Sequence, residues 1–107
     1  MNPTTFTDIH ERESVLRNLK VIPGVGKSIA NDLYRLGIRQ VSDLKGKNPE
    51  SLYEKSNFLS GVRQDPCLLY VFRCAVYFAE AAKPQKDKLK WWYWKDKKYF
   101  RTAEKVL

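Results

Sequence analysis

The stretch Ile22-Pro23-Gly24-Val25-Gly26-Lys27-Ser28-Ile29-Ala30 holds the residues best suited to chemistry, and that chemistry is anion binding. Two glycines around one apolar residue let a turn tighten and leave backbone N–H groups unobstructed. The turn opens into a helix beginning near Lys27, whose N-terminus carries partial positive charge. A phosphate fits there, with Lys27 adding a mobile cation and Ser28 a hydroxyl donor. Val25 is expected to point inward and pin the turn. Only one residue separates the glycines, so the spacing of a nucleotide-binding P-loop is missing and ATP binding is not implied.

Other chemistry is sparse. His10 is the single histidine, no Ser-His-Asp set or carboxylate cluster stands out, and catalysis is not expected. Cys67 and Cys74 fall in one expected helix, two turns apart, a rise of about 10 Å, whereas a disulfide needs Cα atoms within about 7 Å. They read as reduced thiols in an apolar face. With one histidine and two cysteines, a four-ligand zinc site cannot be assembled, and no metal is expected. In Lys90-Trp91-Trp92-Tyr93-Trp94-Lys95 four aromatics sit among lysines. They could stack on bases of a single strand, but tryptophans more often cover a core edge, and the core is the expectation.

The chain carries a net charge of +8 over 107 residues, a balance that favours polyanions. Residues 83–107 hold nine Lys/Arg against three Asp/Glu and so supply most of that charge. A run of apolar residues long enough to span a bilayer is missing, and the acidic, polar start lacks a signal pattern, so a cytoplasmic protein is expected.

The elements that must position these residues follow from caps and periodicity. Asp8 and Glu11 have capping-box spacing, with Leu16 and Leu19 marking a stripe, which predicts a helix from Ile9 to Leu19. Pro23 breaks it. A second helix over Lys27 to Leu36 buries Ile29, Ala30, Leu33 and Leu36 and ends at Gly37. Val41 to Leu44 is a short turn. Asn48-Pro49-Glu50 starts a third helix, carrying Leu52 and Tyr53 and ending near Asn57, before an irregular Phe58 to Gln64. Asp65-Pro66 starts a central helix over Cys67 to Ala82, apolar on nearly every face. Its Arg73 either snorkels to water or is paired inside. Lys83 to Lys86 reads as a linker, and Asp96 to Leu107 as a last basic helix with Phe100, Ala103 and Val106 on one side.

From Leu16 to Leu44 the residues resemble the helix-hairpin-helix motif of DNA-repair enzymes, polymerases and ligases. The likeness rests on the glycine turn, Ala30, Leu33, Gly37-Ile38 and the Val41 to Leu44 turn. The resemblance implies phosphate contacts from the amides of Gly24, Gly26, Lys27 and Ser28, without base readout. It also implies a monovalent cation at the carbonyls of Lys20, Ile22 and Val25. A wider match, through Pro49 to Glu54, Leu69 to Tyr77 and Lys90 to Asp96, resembles the bacterial "pathogenicity locus" family, some of whose members are named as mitomycin-resistance proteins. The fold is also similar to the C-terminal domain of a bacterial competence regulator. Leu59-Ser60-Gly61-Val62-Arg63 can be laid on Ile22 to Gly26 as a degenerate second copy, in which Arg63 for the second glycine should widen the turn.

The expectation is therefore an all-α, compact five- to six-helix fold with a helix-hairpin-helix core domain over residues 1–82. A basic, Trp-rich segment over residues 83–107 packs on it or extends from it. Its function would be non-sequence-specific DNA binding, duplex or single-stranded, linked to repair or protection. Lys20, Gly24, Val25, Gly26, Lys27, Ser28, Asn31 and Arg35 would form the site. The alternative is a protein-interaction adaptor in which the turn and the tryptophans dock a partner.

Overall fold

The computed structural model describes residues 4–97, and every regular element in that range is helical. Four α-helices follow one another: α1 (Thr4–Leu19), α2 (Lys27–Arg35), α3 (Pro49–Ser60) and α4 (Pro66–Glu80). Among the described residues three short 3₁₀ turns, Val41–Leu44, Lys86–Leu89 and Trp91–Trp94, accompany these four, where five to six helices were expected of the chain. The helix expected over Asp96 to Leu107 lies outside the described residues. None of the described helices is long and apolar enough to cross a membrane.

Local signals explain most of the boundaries. Asn48 accepts the N–H groups of Glu50 (2.8 Å) and Ser51 (3.1 Å) and starts α3 with Pro49 in its first turn. Asp65 does the same for α4, accepting the Cys67 N–H at 2.8 Å. At the end of α2 the Ile38 N–H reaches the Leu33 carbonyl and the Gly37 N–H that of Tyr34, both at 3.0 Å, closing a Schellman motif over two buried side chains.

Three boundaries differ from the sequence reading. Helix α1 begins at Thr4, so Asp8 and Glu11 lie inside it and cannot cap an N-terminus at Ile9. Helix α3 continues through Asn57 and Phe58 to Ser60, because the residue able to stop it is Gly61. At φ 79° Gly61 takes the left-handed conformation and donates back to the Asn57 and Phe58 carbonyls. Helix α4 ends at Glu80, two residues earlier than expected.

Helix α4 is apolar nearly all round because it is buried on two sides. On one, Leu68, Val71, Phe72, Ala75 and Val76 pack with Val15 and Leu19 of α1, Ala30 and Leu33 of α2, Leu52 and Tyr53 of α3, and Leu44. On the other, Cys74 and Tyr77 pack under Trp94, with Leu89 and Tyr93 around them. The C-terminal 3₁₀ turns therefore lie on the core.

Arg73 joins the two sides. Buried at 7% exposure, it makes an ion pair with Glu50 of α3 at 2.9 Å and donates to the Trp94 carbonyl at 2.8 Å. Of the two readings of Arg73, the paired one holds. A guanidinium stripped of water needs such partners.

The Gly61 turn shares little with the Gly24 turn. Both glycines are left-handed, at φ 79° and 85°. However, α3 runs straight into Gly61, whereas four residues separate α1 from Gly24. Leu59, Val62 and Cys67 are exposed where Ile22, Val25 and Ala30 are buried. A second copy is not reproduced in the packing.

Candidate nucleic-acid interface

The segment after α1 is held from inside. Ile22 (1% exposed) and Val25 (6% exposed) are buried in the core, and the Val25 N–H closes a turn onto the Ile22 carbonyl at 3.0 Å. Pro23 and Gly24 occupy its central positions, and the positive φ of Gly24, 85°, is the conformation a type II turn requires there.

Gly26 behaves differently. As N-cap of α2 it has φ −96°, open to any residue, and a Cβ built on it would meet nothing within 4 Å. Of the two glycines expected to tighten the turn, Gly24 alone uses a conformation that favours glycine. What Gly26 supplies is an absence of cover. Without a side chain it cannot accept the first-turn N–H groups of α2, and no side-chain cap is made there. Helices α3 and α4, by contrast, are capped by Asn48 and Asp65. The first-turn amides of α2, those of Lys27, Ser28 and Ile29, are thus left without a side-chain acceptor at the positive end of a helix dipole.

Positive side chains lie on one side of this end. Lys20, Gly24, Gly26, Lys27 and Ser28 are all exposed. Lys20 and Lys27 line a depression of about 250 Å³ with Glu13, Leu16 and Arg17, where the last turns of α1 meet the start of α2. Two other candidate residues are engaged elsewhere. Asn31 accepts from Arg12 and donates to the Lys27 carbonyl at 3.4 Å, and Arg35 donates to the Leu59 carbonyl at 3.2 Å. Of the carbonyls named for a cation, that of Ile22 accepts the Val25 N–H. Among the described residues no cluster of three His, Cys, Asp or Glu could hold a metal ion.

The sequence reading missed what lies on the other side of the turn. A Cβ on Gly24 would sit 3.3 Å from Cδ1 of Trp91, so the indole rests directly against the glycine. Trp91, Gly24 and Ile29 form part of the wall of an open groove of about 480 Å³ that runs to Leu68 and Val71 of α4. Asp32, Asp65 and Cys67 border it. Burial raises the Asp32 carboxyl above its usual range, with the charge of Arg35 opposing. The Cys67 backbone N–H holds Asp65 below its usual range, and the hydrogen bond with Asp65 pushes the Cys67 thiol up. Neither cysteine reads as an activated nucleophile, since burial pushes Cys74 up to about 11.

The three tryptophans divide. Trp94 is buried (5% exposed) and donates its Nε1–H to the Lys88 carbonyl at 2.9 Å, which makes it a core residue. Trp91 is half-buried, and Trp92 is 57% exposed.

Residues 12–99 match the Pathogenicity locus family, and the chain belongs to it. One relative, named mitomycin resistance protein McrB, from Streptomyces lavendulae, is 35% identical over 79 residues, covering 72% of this chain and 70% of its own. No solved structure matches the chain significantly.

Proposed function

We propose that the protein binds the backbone of DNA without reading base sequence, through a helix-hairpin-helix module whose phosphate site is the start of α2. One observation carries this reading: Gly26 leaves α2 without the side-chain cap that α3 and α4 have, and it does so between Lys20, Lys27 and Ser28. A phosphate oxygen accepting from the Lys27 and Ser28 amides would supply the missing cap. The +8 net charge supports a polyanionic ligand. The Ile22 carbonyl keeps one lone pair for a monovalent cation beside the phosphate. In this reading the chain is a cytoplasmic binding protein and not an enzyme. The relative named for mitomycin resistance supports a role in protection.

A second reading, a protein-docking adaptor, is favoured by the exposed Phe58 (83%), Leu59 (41%) and Val62 (65%) at the turn between α3 and α4. Titration of fluorescent DNA at two salt concentrations separates the two. Backbone binding predicts that log affinity falls by about 0.9 per phosphate neutralised for each tenfold rise in salt. Failure to bind DNA at either concentration would leave the adaptor reading.

A further inference from the structure

Trp92 is held one indole away from the Gly24 turn in a way that its own packing does not require. In a 3₁₀ turn residues three apart share a face. Trp91 and Trp94 therefore both turn toward the protein, and Trp92 is left on the far side with 57% of its surface in water. The flanking anchors fix it there. Trp94 is locked by its Nε1–H bond to Lys88 and by Tyr77, whose ring centroid lies 5.5 Å away, and its carbonyl is held by Arg73. Trp91 rests on Gly24 of the phosphate-binding turn. Trp92 meets Trp91 edge to face, with centroids 5.6 Å apart and planes at 88°. Trp92 is thus one indole removed from the turn, on a backbone already ordered by buried neighbours.

Its surroundings match a nucleic acid strand. Lys90, Lys95 and Lys97 are exposed on the same short segment. Aromatic faces among lysines are the arrangement with which proteins track single strands, because every base presents a ring face whatever its identity. A paired base inside a duplex has both faces covered by its neighbours and cannot use such a platform.

We propose that the site takes single-stranded nucleic acid, with one phosphate on the Lys27 and Ser28 amides and a neighbouring base stacked on Trp92. The proposal rests on the phosphate site at α2 and adds to it the kind of strand that is bound. The test is fluorescence anisotropy with a labelled oligo-dT and with a duplex of equal length at one salt concentration. Trp92→Ala is expected to weaken oligo-dT binding by roughly 5- to 150-fold and to leave duplex binding within about twofold, with Trp92→Phe between it and the parent. The proposal is overturned if Trp92→Ala leaves oligo-dT binding unchanged or weakens both ligands equally. Failure of the underlying phosphate site has a different signature: Gly26→Ser then leaves both ligands bound as tightly as before, whatever Trp92→Ala does.

Discussion

The indole of Trp91 lies against Gly24, with Cδ1 3.3 Å from where a Cβ would stand. This contact joins the Gly24 turn to the Trp91–Trp94 segment and puts the exposed Trp92 one indole away from that turn. A glycine whose φ of 85° already excludes most side chains is thus also a packing surface.

Gly24→Ala should cost about 1–3 kcal/mol, since an L side chain is strained in the left-handed region and the new methyl meets Trp91. Urea unfolding measures the loss. The intrinsic tryptophan emission of the folded variant should shift as Trp91 is displaced, and an unchanged spectrum and stability would show that the contact is not made.

Arg73 ties α3 and the Trp91–Trp94 turn to α4, so Arg73→Leu removes the buried guanidinium that donates to the Trp94 carbonyl and leaves Glu50 without its ion-pair partner. Removal should destabilise by about 2–3 kcal/mol, less than for a fully buried pair because the Glu50 side chain is 34% exposed. Loss of near-ultraviolet circular dichroism from the tryptophans should accompany it.

These long-range contacts mark where the sequence stops being readable. The starts of α3 and α4 and the end of α2 were legible because Asn48-Pro49, Asp65-Pro66 and Gly37 act on residues within one turn of themselves. Spacing such as that of Asp8 and Glu11 is weaker evidence, since it also occurs inside a helix. Arg73 was ambiguous because Glu50, its partner, sits on another helix. Asn31 and Arg35 read as flanking the site by their place on α2, yet Arg12 and the Leu59 carbonyl occupy them. Nothing in a periodicity analysis brings Trp91 to Gly24.

Thiol titration should separate the cysteines. Burial pushes Cys74 up to about 11 from an ordinary value of 9.0, so the folded state keeps its proton where the unfolded chain loses it. That contribution to stability is complete below pH 9 and is lost as pH rises from about 9 to 11. Cys74→Ala should flatten the fall of stability across that window. A thiol reagent near neutral pH should label Cys67 in the folded protein and Cys74 only after unfolding, and equal labelling of both would contradict the burial described.

The central claim is that Gly26 leaves the α2 amides open for phosphate, and Gly26→Ser tests it most directly. At φ −96° with open space around it, the serine fits without strain, and its hydroxyl can accept the N–H of Ser28 or Ile29 as an N-cap does. Unfolding and oligo-dT titrations on the same preparation give both readouts. The account predicts that stability rises by a few tenths of a kcal/mol while nucleic-acid affinity falls by about tenfold or more, the value of a charge-assisted hydrogen bond given up. A variant equally or more stable that binds nucleic acid as tightly as the parent would contradict it.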